Sequence, residues 1–355
     1  MAEGGSQPPV INVQLPAITV NYQEGTRFAG DNVGQKTKIQ AAEIGQIVVP
    51  TEGSNVQTPT HPSHHGVTDN LGKMNLTEGT HFVIFENIRR LINKSKFVDA
   101  LITLQDIPPS QEQQFMMSEC YCQLGRPNEA LRCIEKLQSE MTSLARPSVD
   151  DVIKTVDNYI SDSSHIRALI LLTCCAKLYK FDSNPNNLVF EIRHCSLKCW
   201  KVIKALVNEG DRMKAIATDV GLKIITDMLK ELRSVSGADK NTGVDMEARC
   251  LTNVGASYDE VGKYEEAIGF HNEGLDLMNQ TFGLNAAKYV VFGTLLYNMG
   301  SAQSGLGDYS KAESFYLQSL DAYKKVEDWP SDKMKREIIE STKNNLKILR
   351  NRKKK

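Results

Sequence analysis

The sequence has no excess of charge of either sign. Its 355 residues include 42 Lys and Arg and 43 Asp and Glu, which gives a formal net charge of −1 at pH 7. Proteins that bind nucleic acid normally carry a basic excess, so we expect no nucleic-acid partner. The one local basic excess is the run 350–355, and its last part, 351–355, is typical of a solvated basic tail.

Long apolar runs and a secretory leader are also missing. The longest apolar stretch, residues 168–176, is well short of the roughly 18 residues that a membrane-spanning helix needs, so we expect no membrane association. The first ten residues contain no basic segment followed by an apolar one, which favours a cytoplasmic protein. In that compartment the eight cysteines should remain reduced thiols.

Motifs for catalysis and cofactor binding are missing as well. The sequence contains no GxxxxGK[ST] phosphate loop, no GxSxG nucleophile elbow and no HExxH zinc pair. Cys195 and Cys199 lie one helical turn apart beside His194, but no second half-site completes a tetrahedral metal site. We therefore predict a protein without catalytic residues, cofactor or metal, and an unrecognised enzyme is the remote alternative.

Residues 1–76 differ in composition from the rest of the chain. They are rich in Gly, Pro, Gln, Asn and Thr, contain few aromatic residues and show no helical period. Such a segment cannot bury enough apolar surface to offset the entropy that ordering removes. This composition predicts a disordered, low-complexity amino-terminal segment.

Part of that segment also suggests a second function. Between Gly25 and Ile47, Gly, Asn, Gln and β-branched residues are spaced much as in short signalling-amyloid motifs. Stacked in-register strands with Asn and Gln ladders would be the physical basis of such self-assembly. Lys36 and Lys38 interrupt the pattern, and a plain disordered tail is the alternative.

From about residue 79 onward, apolar residues recur at helical spacing between punctuating glycines, which predicts an all-α fold. Two segments, starting 45 residues apart, align without a gap: LTNVGASYDEVGKYEEA from Leu251 and LYNMGSAQSGLGDYSKA from Leu296. An internal repeat of this length indicates a stack of similar units, each of which buries its apolar face against its neighbours.

Each copy of this repeat fits two antiparallel helices. Small residues allow close approach of the helices, glycines end the first helix, tyrosines begin the second, and alanines lie where the two helices cross. In that order the residues are Gly255 and Gly300, Gly262 and Gly307, Tyr264 and Tyr309, and Ala267 and Ala312.

These residues resemble the tetratricopeptide repeat (TPR). That family has a small residue at position 8, an aromatic at 11, Ala at 20 and an aromatic near 24. Tyr258 matches at position 11 and Tyr316 at position 24, whereas His271 and Gln303 depart from the pattern. The resemblance implies a TPR α-solenoid of antiparallel helix pairs. The repeats look like the longer type found in kinesin light chain and LGN-like adaptors.

The alanine at position 20 also locates weaker copies upstream. Tyr121 and Gly125 precede Ala130, Gly210 precedes Ala215, and two further copies are placed by Ala100 and Ala168 alone. We therefore predict about six repeats over 79–330 and a capping helix at 331–350. The predicted repeats are 81–110, 111–144, 149–180, 196–232, 248–281 and 293–326.

The resemblance further implies where a partner would bind. In a TPR stack the first helix of each pair lines the concave surface, and position 6 of that helix faces the groove. Asn253 and Asn298 occupy this position, and an amide can both donate to and accept from a peptide unit.

This points to a non-enzymatic scaffold or adaptor that binds an extended peptide or a helix. The alternatives are a pair of solvated surface asparagines, or a signalling adaptor whose residues 25–47 self-assemble while the repeats bind a regulator.

Overall fold

A computed structural model describes residues 78–140, 149–178, 184–327 and 329–352. All the regular structure in these ranges is helical, as the sequence predicts. The predicted disordered segment 1–76 and its predicted self-assembling part, 25–47, lie outside the described residues.

Short turns join the described helices into successive antiparallel pairs, a connection that brings sequence neighbours together in space. The first half contains α1 (Glu78–Asn93), α2 (Phe97–Gln105), α3 (Gln111–Gln123), α4 (Pro127–Glu140), α5 (Val149–Ser161), α6 (His165–Leu178) and α7 (Pro185–Asn208). The second half contains α8 (Asp211–Ile216), a π-helical turn (Ala217–Gly221), α9 (Leu222–Arg233), α10 (Lys240–Val261), α11 (Tyr264–Phe282), a 3-10 turn (Gly283–Lys288), α12 (Val290–Gly305), α13 (Tyr309–Lys325) and α14 (Asp332–Arg352).

The chain repeats one packing scheme through its second half. Helix α7 packs on α9, α10 on α11 and α12 on α13. Of these second helices, α9 also packs on α10, α11 on α12, and α13 on the last helix, α14. In addition, α10 packs directly on both α7 and α12. We call these three helices, which lie side by side, the first-helix layer.

Local sequence explains where the repeated helices begin and end. Asp239 and Asp308 cap α10 and α13, each accepting a hydrogen bond of 3.0 Å from the backbone N–H three residues later. Gly262, at the end of α10, has φ +89°, a left-handed conformation that only glycine adopts without strain. Positive φ values also occur at Gly125, Gly210 and Gly307 in the turns of other pairs.

Alanine is buried at the repeat position of most pairs, between packed helices. Ala100, Ala130, Ala168, Ala267 and Ala312 are all fully buried. A methyl side chain at such a point keeps the helix axes close while leaving no cavity.

Ala215 departs from the prediction that it fills this place in the fourth pair. Its side chain is exposed, and Ala217, two residues later, is fully buried instead. Ala215 lies just before the π-helical turn of Ala217–Gly221, and the buried side of the helix is formed here by Met213, Ile216 and Ala217. The close contact in this pair is at Gly221, where an added Cβ would lie 2.8 Å from Cγ1 of Ile203.

The six cysteines whose side chains are described are buried thiols between helices. Burial raises the pKa of Cys122 and of Cys250 to about 12, so both are protonated at neutral pH. Within the described ranges, no group of three His, Cys, Asp or Glu side chains is placed to hold a metal ion. None of the described helices combines the length and apolar character that crossing a membrane requires.

Candidate protein-binding surface

The two asparagines predicted to face a groove lie on adjacent helices of the first-helix layer, but their surroundings differ. Asn253 of α10 is only 7% exposed, and its Nδ2 donates a hydrogen bond of 2.9 Å to Oγ of Ser196 on α7. Asn298 of α12 is half-buried, and its side-chain amide forms no hydrogen bond with any residue in the described ranges. One amide therefore bridges two helices, and the other keeps its donors and acceptor available.

A second polar bridge joins α10 to α12. Oγ of Ser301 donates a hydrogen bond of 2.8 Å to Oδ2 of Asp259. Burial raises the pKa of Asp259 to about 7, and the hydrogen bond from Ser301 opposes this rise. Asp259 forms no ion pair with a Lys or Arg of the described chain. Local patterns do not predict a role for Asp259, because its hydrogen-bond partner lies 42 positions further along the chain on another helix.

The repeat glycines inside α10 and α12 each lie beneath a ring. A Cβ added at Gly255 would lie 2.3 Å from Cε1 of His271, and one added at Gly300 would lie 2.8 Å from Cδ1 of Tyr316. His271, a departure from the repeat pattern, thus occupies the same place in its pair as Tyr316 does in the next. Both rings are at least 97% buried, since His271 is 0% and Tyr316 is 3% exposed.

His271 differs from Tyr316 in its polar contacts. Neither of its ring nitrogens has a hydrogen-bond partner among the described residues. Burial lowers the pKa of His271 to about 3, so the imidazole is neutral at physiological pH. Tyr316 instead packs its ring against that of Tyr297, with 5.4 Å between the centroids.

The other aromatic residues of the repeat pattern pack between helices. Tyr258 lies against Phe270, with 5.0 Å between ring centroids, and Tyr309 packs in the cluster that contains Tyr316. The ring of Tyr264 covers Gly305 of the following pair, where an added Cβ would lie 2.4 Å from its Cε1. In the second pair, the guanidinium of Arg126 lies 5.1 Å from the ring centroid of Tyr121. These aromatic residues stabilise the packing between helices, and the candidate binding residues lie elsewhere.

Helix α7 contributes aromatic, apolar and basic side chains to the first-helix layer. Phe190, His194, Leu197 and Lys201 recur at intervals of three or four residues and therefore share one face of the helix. Phe190 is 43% exposed and the other three are half-buried. The helical spacing was visible in the sequence, but nothing there showed that these side chains remain partly exposed within the described chain.

Lysines on the two edges of this face reach the neighbouring helices. Lys198 forms an ion pair with Asp157 of α5, and Nζ of Lys204 lies 2.7 Å from Oε1 of Glu260 on α10. Lys201, between them, forms no ion pair with a described residue. The face therefore lies between α5 and α10 and has one lysine whose charge is not paired.

Comparison with known proteins identifies one repeat directly. Residues 295–328 match the family model described as tetratricopeptide repeat, a range that contains most of α12 and α13. Among solved structures, the chain is similar to BtubC (BKLC) from P. vanneervenii, with 14% sequence identity and a TM-score of 0.39, over 68% of this chain and 84% of that chain. No protein of the curated set matches the chain.

Proposed function

Starting from a chain of the tetratricopeptide-repeat type, we propose that it is a non-enzymatic scaffold or adaptor that holds a partner peptide or helix on the open face of the first-helix layer. One observation carries the proposal. Helices α7, α10 and α12 lie side by side, and the half-buried amide of Asn298 on this layer has no hydrogen-bond partner among the described residues. We propose the cytoplasm as its compartment.

Asn298 is suited to hold a peptide backbone. Its amide offers donors and an acceptor, which match the C=O and N–H of one peptide unit whatever side chain the peptide carries. Because the residue is half-buried, its side chain loses less freedom on binding than a fully exposed one would. Asn253 carries the same amide, but its Nδ2 already donates a hydrogen bond to Ser196. In this proposal Asn253 therefore links α10 to α7 and contributes less to partner binding.

The experiment uses peptides selected from a phage-displayed random library against the full chain. Binding of a selected, fluorescein-labelled peptide is measured by fluorescence anisotropy for the wild type and for Asn298→Ala. We expect affinity to fall about fivefold, since one or two neutral hydrogen bonds are lost. Circular dichroism melts check that the variant remains folded.

Asn272→Ala is the matched control. Asn272 is an exposed asparagine on α11, a second helix, so the same substitution there leaves the first-helix layer intact. We expect unchanged peptide affinity. Equal affinity for the wild type and Asn298→Ala, or an equal loss in both variants, would contradict the proposed binding face.

Self-assembly of residues 25–47 is the second candidate function, favoured by their spacing of Gly, Asn, Gln and β-branched residues. In this variant of the proposal, the amino-terminal segment assembles while the repeats bind a regulator. Thioflavin fluorescence of a synthetic 20–50 peptide tests it. A rise with time supports assembly, and a flat trace at high peptide concentration removes it.

A further inference from the structure

Two ionisable side chains of opposite type, neither in an ion pair with a described residue, lie on the first-helix layer. Lys201 of α7 has no acidic partner in the described chain, although its neighbours Lys198 and Lys204 each have one. Asp259 of α10 has no basic partner there, although the adjacent Glu260 has one. Both unpaired residues are half-buried, so neither charge is fully solvated.

The contacts between helices fix how these two residues are aligned. Ser196 meets Asn253 and Lys204 meets Glu260, pairs separated by 57 and 56 positions. The same offset places Lys201 level with positions 257 and 258, within about one helical turn of Asp259. Lys201 and Asp259 therefore lie at nearly the same height on neighbouring helices.

The distance across the layer suits a short stretch of extended peptide. Packed helix axes lie about 9 Å apart, and Asp259 points towards α12, beyond the axis of α10. The two charges are then about 14 Å apart across the layer, which an extended chain spans in about four residues. Side chains four residues apart in such a chain point to the same side.

The local electrostatics agree with two uncompensated sites. Burial, together with the charges of Lys198 and Arg193, lowers the pKa of Lys201, while Asp157 opposes this effect. Burial and the neighbouring Glu260 raise the pKa of Asp259, while Ser301 and Lys204 oppose this effect. An anion beside Lys201 and a cation beside Asp259 would each favour the charged form that the protein alone disfavours.

Given the proposed groove binding, on which this step rests, we infer that the partner is an extended peptide carrying an acidic and a basic residue about four positions apart. The acidic residue pairs with Lys201 and the basic residue with Asp259. Leu197, one helical turn before Lys201, supplies apolar contact beside it. The layer is thus charge-polarised and selects the direction in which the peptide lies.

The probe is the fluorescein-labelled peptide Ser-Glu-Leu-Ser-Leu-Lys-Ser, measured by anisotropy at low ionic strength, where charge pairs are least screened. Its counterpart has Gln in place of both Glu and Lys. We expect the charged peptide to bind the wild type about tenfold more tightly than the Gln counterpart. Lys201→Glu should abolish this preference, and Asp259→Asn should reduce it.

Exchange of charge gives the sharper result. Lys201→Glu should prefer a peptide with Lys in place of the probe's Glu, because the acidic side chain now faces a basic one. Lys201→Met keeps the apolar stem without the charge, and should weaken binding of the original probe even if Lys201→Glu fails to fold. Lys343→Glu, the same charge change on exposed α14, should leave affinity unchanged.

Three results would overturn the inference: equal affinity for the charged and Gln peptides, an equal loss in Lys343→Glu, or no preference of Lys201→Glu for the exchanged peptide. Measurements with the library-selected peptides separate this inference from the proposed function on which it rests. If their binding depends on Asn298 but not on Lys201 or Asp259, the binding face stands and the charge pattern of the partner is wrong. If it does not depend on Asn298, the proposed function itself fails.

Discussion

The pair α10–α11 and the pair α12–α13 have the same repeat residues but use them differently. In both, a buried ring covers a glycine of the first helix. In the earlier pair the ring is an imidazole without hydrogen-bond partners in the described chain, and the asparagine is bonded to the preceding pair. In the later pair the ring packs at a tilt against that of Tyr297, and Asn298 keeps its side-chain amide available. Equivalent glycines therefore pack alike in the two pairs, while contacts with neighbouring helices determine whether the asparagine side chain is hydrogen-bonded.

The largest expected effect is on the glycines beneath the rings. Gly255→Ala places a methyl group 2.3 Å from a fully buried ring, which must shift to admit it, and should lower the free energy of unfolding by about 3 kcal/mol. Gly300→Ala, with a nearest approach of 2.8 Å, should cost less. Urea denaturation followed by circular dichroism measures both.

Gly269→Ala is the matched control for these two variants. Gly269 lies in α11, and an added Cβ would meet nothing within 4 Å. The substitution should stabilise the protein by about 0.5–1 kcal/mol through helix propensity. Destabilisation by Gly269→Ala, or none by Gly255→Ala, would show that packing under the rings does not control stability.

The next prediction concerns the loss of stability in acid that protonation of His271 causes. The folded-state pKa of His271, about 3, lies below the usual value of 6.5, so the unfolded chain takes up the proton first and stability falls as pH drops below 6.5. Between pH 7 and pH 4 the wild type should lose about 3 kcal/mol more than His271→Phe, which cannot be protonated. Urea midpoints at both pH values test this, and parallel losses in the two proteins would contradict it.

The asparagines should show a smaller difference in stability. Asn253→Ala removes a buried hydrogen bond to Ser196 and leaves that hydroxyl without this donor, which should cost about 1 kcal/mol. Asn298→Ala removes no hydrogen bond within the described chain and should change stability by less than about 0.5 kcal/mol. Thermal melts of the two variants, compared with the wild type, give the result. Equal destabilisation would remove the distinction between a bridging and an available amide.

The sequence predicted the helical fold because local signals repeat along it. Small residues at crossings and glycines at helix ends each have a physical cause that acts within one pair of helices. Ala215 shows the limit of this reasoning, since the residues around it match the repeat pattern but the buried alanine of this pair is Ala217. The match at residues 295–328 confirms the tetratricopeptide-repeat type, whereas the likeness to kinesin light chain and LGN repeats stays a prediction.

The candidate site was less accessible from sequence. Asn253 and Asn298 occupy equivalent positions, and only a residue 57 positions earlier, Ser196, distinguishes them. Lys201 and Asp259 belong to no motif. Each lacks an ion-pair partner because the charged residues that the neighbouring helices place nearby pair with other residues. Such features arise from tertiary contacts, so local patterns do not predict them.

Site-specific cross-linking tests the central claim most directly. The photoreactive residue p-benzoylphenylalanine is introduced at Asn298 on α12 or, separately, at Asn272 on α11, and each protein is irradiated with a library-selected peptide. Mass spectrometry then measures the fraction of protein joined to peptide. Binding on the first-helix layer predicts a peptide adduct at position 298 and little at position 272. An adduct at position 272 with none at position 298 would contradict the account.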